Sequence, residues 1–168
     1  MRRIAPLAFI LLLMPFAAGA IGCGHDINLS EALELTDLTT GWYDAGIITG
    51  MNHLVPSVSF RLHNKGTEAV AGVQLTVSFW RAGDDGEWDS MQVRGVGSDA
   101  LAAGASTDPI TVRLKIGYTL EQPRAEMFTH KDFKDATAKI FALRGGKWYT
   151  LGQYQLDHKI LPHEAGQP

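Results

Sequence analysis

The sequence predicts an all-β protein, a two-layer antiparallel sandwich of about seven short strands with one short helical crossover. Three observations lead there. Apolar and polar residues alternate along several stretches, the period-two signature of a strand with one buried face. Gly, Asn and Asp punctuate those stretches at the short intervals typical of a sandwich. The chain of 168 residues holds a single cysteine, so a hydrophobic core rather than disulfides must hold it together.

Each element has its own warrant. Leu33 to Tyr43 supplies a first strand. Ser57 to Leu62 then alternates strictly, with Leu54, Val58, Phe60 and Leu62 on one face and Ser57, Ser59 and Arg61 on the other. Asn64-Lys65-Gly66 reads as a turn, Gly66 being free to take a positive φ. Val70 to Arg81 repeats the alternation, Val73, Leu75, Val77 and Phe79 against Gln74, Thr76 and Ser78, and the two segments are expected to pair as a hairpin. Asp84-Asp85-Gly86 turns the chain into a weaker strand, Trp88 to Val96. Leu101-Ala102-Ala103-Gly104 leads past Pro109 into Ile110 to Tyr118, where Ile110, Val112, Leu114 and Ile116 alternate with polar residues. Glu121 to Phe133, with Pro123 near its start, reads as one or two helical turns crossing between sheets. Ala136 to Leu143 and Trp148 to Leu156 flank Arg144-Gly145-Gly146-Lys147, a hairpin turn of permissive residues. Phe60, Val77 and Leu114 are expected to meet in the core between the sheets.

The run Ser57-Val58-Ser59-Phe60-Arg61-Leu62-His63-Asn64-Lys65-Gly66, followed by Val70 to Phe79 and then Leu101-Ala102-Ala103-Gly104 before a strand, resembles bacterial immunoglobulin-like modules of the FxLyD and CARDB kind. The resemblance covers roughly Val55 to Val112. It implies an immunoglobulin-like sandwich and a place among adhesion, scaffolding or envelope modules, and it carries over no functional residue.

The N-terminal segment points to export. Basic Arg2 and Arg3, an apolar stretch from Ile4 to Phe16 and the small residues Ala17 to Ala20 are the three parts of a secretory signal. The apolar stretch, about 13 residues, is well short of the roughly 20 that a spanning helix needs. Ala20-Ile21-Gly22-Cys23 resembles the lipobox of bacterial lipoproteins, although Ala20 stands where leucine is usual. That resemblance implies cleavage before Cys23, acylation of Cys23 and, with Gly24 rather than aspartate next, the outer membrane facing the periplasm. A plain cut after Ala20 is the competing reading, and it leaves a lone thiol at the mature terminus. The chain is thus expected to divide into a signal (residues 1–22), a lipidated tether (23–31), a sandwich (32–158) and a flexible tail (159–168).

Charge and motif narrow the function. The full chain has 15 basic and 18 acidic residues, and losing Arg2 and Arg3 leaves a net charge of −5. That balance gives no electrostatic reason to bind nucleic acid. His53 and His63, ten residues apart, stand roughly 33 Å apart on an extended strand. Neither they nor His25, His130, His158 and His163 have metal-ligand spacing. Asp84-Asp85-Gly86-Glu87-Trp88-Asp89 lacks the spacing of a calcium loop and reads as a solvated turn. Gly95-Val96-Gly97-Ser98-Asp99-Ala100 fits a relaxed dinucleotide fingerprint, but a strand rather than a helix follows it. No cofactor, metal or catalytic residue is therefore assigned. The expected function is a non-catalytic binding or scaffolding module of the envelope; the alternative is a small envelope hydrolase or metal-binding protein with a site built from loops.

The expected partner is another envelope protein. Trp80 falls out of phase with the apolar face of its strand, and the closing hairpin is apolar on both faces through Phe141, Trp148, Tyr149 and Tyr154. One sheet of a two-layer sandwich buries only one face, so these five residues form the candidate binding surface unless the crossover or a bulge covers them.

Overall fold

The computed structural model describes residues 27–161. The signal segment, Cys23, His25, His163 and residues 162–168 of the tail lie outside the described residues. A single helical turn, α1 (Leu29–Ala32), is followed by β1 (Leu33–Ile48), β2 (Met51–Asn64), β3 (Val73–Arg81) and β4 (Glu87–Val96). Then come β5 (Ile110–Arg113), β6 (Tyr118–Leu120), a 3-10 turn (Arg124–Thr129), β7 (Ala136–Arg144), β8 (Lys147–Gln155) and β9 (Ile160–Leu161). The first sheet runs β5-β2-β1-β9 with β6 also on β2, and the second runs β4-β3-β7-β8. All pairings are antiparallel except β1 with β9.

The all-β, two-sheet architecture agrees with the alternating pattern, whereas the expected β2–β3 hairpin does not form. β2 pairs with β1, β5 and β6, while β3 pairs with β4 and β7 in the other sheet. Residues 65–72 cross between the layers. The fully buried side chain of Asn64 anchors this connection: its Nδ2 donates to the carbonyls of Glu68 and Leu101, each at 2.9 Å, and its Oδ1 accepts from the Gly66 amide at 3.0 Å. Two alternating strands look the same whether they lie side by side or face each other across a core. The true partner of β2 is β1, joined by the two-residue turn Thr49-Gly50 with φ of 49° and 84°. Positive φ at both positions suits the twist of a hairpin. The Gly145-Gly146 turn between β7 and β8 repeats that geometry, at 57° and 78°.

The segment read as one strand from Ile110 to Tyr118 is broken into β5 and β6. Leu114 donates its amide to the Pro56 carbonyl at 3.1 Å, so Pro56 turns its hydrogen-bonding side to this edge but has no N–H to return. The ladder parts there, and Ile116, on the apolar face of the expected Ile110–Tyr118 strand, is 41% exposed. Gly117 is needed at the same point, because a Cβ on it would overlap the Leu54 backbone.

Phe60, Val77 and Leu114 are buried in one core with Trp42, Phe79 and Leu75. Burying each such large side chain contributes about 1.5–3 kcal/mol. The core also corrects both expected domain limits. Leu29, placed in the tether, is fully buried, on a turn that Asn28 caps through its Oδ1. At the other end, residues 159–161 are not a loose tail: Lys159 O accepts from Trp42 N at 2.9 Å and β9 joins β1. Gly41 makes room, since a Cβ there would sit 2.8 Å from the Lys159 carbonyl.

The two ends of the sandwich differ. At one pole lie α1, the 65–72 connection, the Val70–Leu101 bridge and the Gly145-Gly146 turn, with α1 packed on β8. At the other lie the Thr49-Gly50 turn, the β3–β4 turn and the crossover containing the 3-10 turn. β1, whose two bulges let its 16 residues span the same ends as the 14 of β2, runs between them over about 43 Å at 3.3 Å per residue.

Candidate functional site

The second sheet has an outer face, and strand register decides what stands on it. β3 sends Gln74, Thr76, Ser78 and Trp80 outward; opposite them on β7 stand Leu143, Phe141, Lys139 and Thr137. β8 extends the rows, Trp148 beside Leu143 and Thr150 beside Phe141. Phe141 and Leu143 are half-buried, and Trp148, at the end of the strip, is 56% exposed. Trp80 stands at the opposite end, half-buried beneath Lys139, whose Nζ lies 4.0 Å from the ring centroid. Such a cation–ring contact adds roughly 0.5–1 kcal/mol at an exposed site.

Tyr149 and Tyr154 are not part of that surface; both pack against the core, as does Leu151. The register of β7 with β8 shifts between Ile140–Gly152 and Phe141–Thr150, leaving Leu151 as the extra residue of a bulge. A bulge reverses the alternation, so Tyr149 before it and Tyr154 after it both turn inward. Gly152 permits this, because a Cβ there would meet the Tyr154 hydroxyl at 2.5 Å. The five candidate residues therefore separate into Trp80, Phe141 and Trp148 outside and two tyrosines inside.

The crossover covers a different set of rings. Phe128 and Phe133 close over Trp42, at centroid distances of 6.5 and 4.8 Å, and Tyr118 and Trp88 complete the cluster. His158 stacks on Phe128 at 5.4 Å, and its Nε2 pairs with Asp135 Oδ1 at 2.6 Å. This ties the approach to β9 to the crossover.

The polar candidates have local partners. His53 Nδ1 pairs with Thr119 Oγ1 at 2.8 Å, and His63 Nδ1 with Ser106 Oγ at 2.9 Å across an exposed strand edge. His130 lies 3.7 Å from Asp132. Among the described residues no three His, Cys, Asp or Glu side chains gather closely enough to hold a metal ion. In the acidic turn, Asp84 is bound by Lys134 and Arg81, each at 2.6 Å. The hydrogen bonds from Lys134 and then Arg81 hold its carboxyl below the usual carboxylate value. Gly95 and Gly97 close β4 and lead to the Val70–Leu101 bridge rather than a helix, so no helix N-terminus takes up the fingerprint.

One exposed apolar feature escaped sequence reasoning. Ile47 and Ile48, 66% and 46% exposed, carry the tip of the β1–β2 hairpin. The consecutive isoleucines before Thr49-Gly50 are its signal in the sequence, hidden because the turn lacks the Asn-Gly or Asp-Gly pair that marks most such hairpins. Among the described residues no helix is long and apolar enough to cross a membrane.

Fold and surface together define an all-β protein of two facing sheets. No family model and no curated protein matches the chain. A solution structure of a protein from Arabidopsis thaliana is similar to it at a TM-score of 0.40 and 13% identity, over 79% of this chain and 83% of that one.

Proposed function

We propose that the chain is a bacterial envelope lipoprotein, anchored through Cys23 in the outer membrane and facing the periplasm, whose body is a non-catalytic binding or scaffolding module. The signal-like residues 1–22 and the sole cysteine directly after them support the anchor. The strand order supports an immunoglobulin-like body: β1-β2-β5 against β4-β3-β7-β8 corresponds to the A-B-E and C′-C-F-G arrangement of such sandwiches.

The observation that carries the binding reading is the outer strip of the second sheet, where Trp80, Phe141 and Leu143 stand on a face that no other layer of the described residues covers. Apolar strips on an otherwise polar sheet favour protein contacts, with aromatic residues as anchors. Crosslinking in intact envelopes followed by pull-down tests it with Trp80→Ala and Phe141→Ala. Both variants are expected to fold and to lose the crosslinked partner. Recovery of the same partner in the same yield as wild type removes the strip as the binding surface.

A further inference from the structure

We infer that the Trp148 pole of the sandwich rests on the lipid bilayer, its indole in the headgroup region, so that the Thr49-Gly50 hairpin tip points away from the membrane. The inference rests on the proposed anchor at Cys23 and adds what that reading lacks, an orientation.

Four residue steps separate Cys23 from Ile27, the first described residue, and at full extension they reach about 14 Å. Whatever path they take, the pole at which Ile27 enters the fold stays within that distance of the acylated cysteine. α1 follows directly, and it packs on β8. Because β8 begins at Lys147 and its far end is fixed by Gln155 O accepting from Thr40 Oγ1 at 3.2 Å, α1 lies near the Trp148 end. The turn there projects Gly145, Gly146, Lys147 and Trp148, all exposed.

Trp prefers the boundary between headgroups and hydrocarbon, where its ring is shielded and its N–H stays wet. One Trp alone binds a membrane weakly. Tethering changes the arithmetic: a second contact beside an existing anchor becomes intramolecular, at an effective concentration in the millimolar range for a short linker. Exposed Lys65 and Lys147 at this pole are outnumbered by exposed Glu31, Glu34 and Glu68, so the aromatic ring rather than net charge makes the contact. The opposite pole carries exposed Ile47 and Ile48, but it stands about 43 Å away along the β1–β2 pair, beyond the reach of the tether.

The test uses the full protein purified from bacterial membranes and reconstituted in phosphatidylethanolamine–phosphatidylglycerol vesicles whose acyl chains carry bromine near the headgroup. Bromine quenches nearby indoles, and Trp148→Phe isolates one ring from the other three. Wild type is expected to float with the vesicles and lose emission to the brominated lipid, and Trp148→Phe to float equally and lose none. A reporter at the other pole, Ile48→Trp in the Trp148→Phe background, is expected to stay unquenched. Flotation with no quenching of Trp148, or with quenching of the Ile48→Trp reporter, overturns the orientation while the anchor stands. Absence of flotation overturns the anchor and the orientation with it.

Discussion

Replacing Gly117 by alanine should destabilise the protein although alanine is the better-behaved residue almost everywhere else. At a glycine whose backbone suits an L-residue, alanine gains about 0.4–1 kcal/mol by restricting the unfolded chain. Gly86 is such a position, with φ outside the left-handed region and open space around a built Cβ. At Gly117 the same methyl overlaps Leu54 O and sits 2.8 Å from Leu54 C and 2.9 Å from Val55 Cα. These are backbone atoms and cannot rotate away, so β6 must withdraw from β2. Overpacking of this kind costs about 1–3 kcal/mol. Withdrawal also pulls Thr119 from buried His53, a 2.8 Å contact whose loss costs about 1 kcal/mol more. The net expectation, after the entropic gain, is about 1–3.5 kcal/mol of destabilisation. In urea, with a slope of about 1–3 kcal/mol per molar, a loss and a slope in the middle of their ranges lower the midpoint by roughly 1 M, whereas Gly86→Ala leaves it unchanged or raises it. A Gly117→Ala midpoint within error of wild type refutes the close approach of β6 to β2 on which the broken β5–β6 strand depends.

Phe60→Ala, removing a fully buried ring from β2, is expected to cost about 3–5 kcal/mol in the same assay; a loss under about 0.5 kcal/mol contradicts its core position. Asp84→Asn tests the link between the β3–β4 turn and the crossover through pH. The wild-type carboxyl titrates below its ordinary 3.8 because Lys134 and Arg81 bind the ionised form, so its contribution is fully present above that value and is lost as pH falls through the lower folded-state value. Thermal melts should show the variant below wild type at neutral pH and the gap closing under about pH 3.8; a gap of constant size across that window refutes the link.

What the sequence made legible was whatever depends on one strand at a time. Alternation in Val73–Phe79 and around Phe60 placed those residues in the core, and Gly145-Gly146 marked its hairpin. What it hid depends on relations between strands. The layer to which β3 belongs is decided by the buried amide of Asn64, and an Asn-Lys-Gly sequence reads equally well as a tight turn. The break at Gly117 comes from Pro56, some sixty residues earlier in sequence and across the sheet. The candidate surface suffered from the same blindness. Tyr149 and Tyr154 have opposite parity, so one of them had to face outward on a regular strand, and the bulge at Leu151 that turns both inward has no local signature. Trp80, on an unbroken alternating strand, stands on the face its parity predicts.

The proposed anchor is tested most directly at Cys23. Cells grown with a palmitate analogue, fractionated and followed by mass spectrometry of the N-terminal peptide, are predicted to show wild-type protein in the membrane fraction, labelled, with its mature terminus at acylated Cys23. Cys23→Ser is predicted to carry no label and to lose that cleaved, membrane-held form. A soluble wild-type protein, a mature terminus at Ile21 with an unmodified thiol, or equal labelling of the two proteins would contradict it.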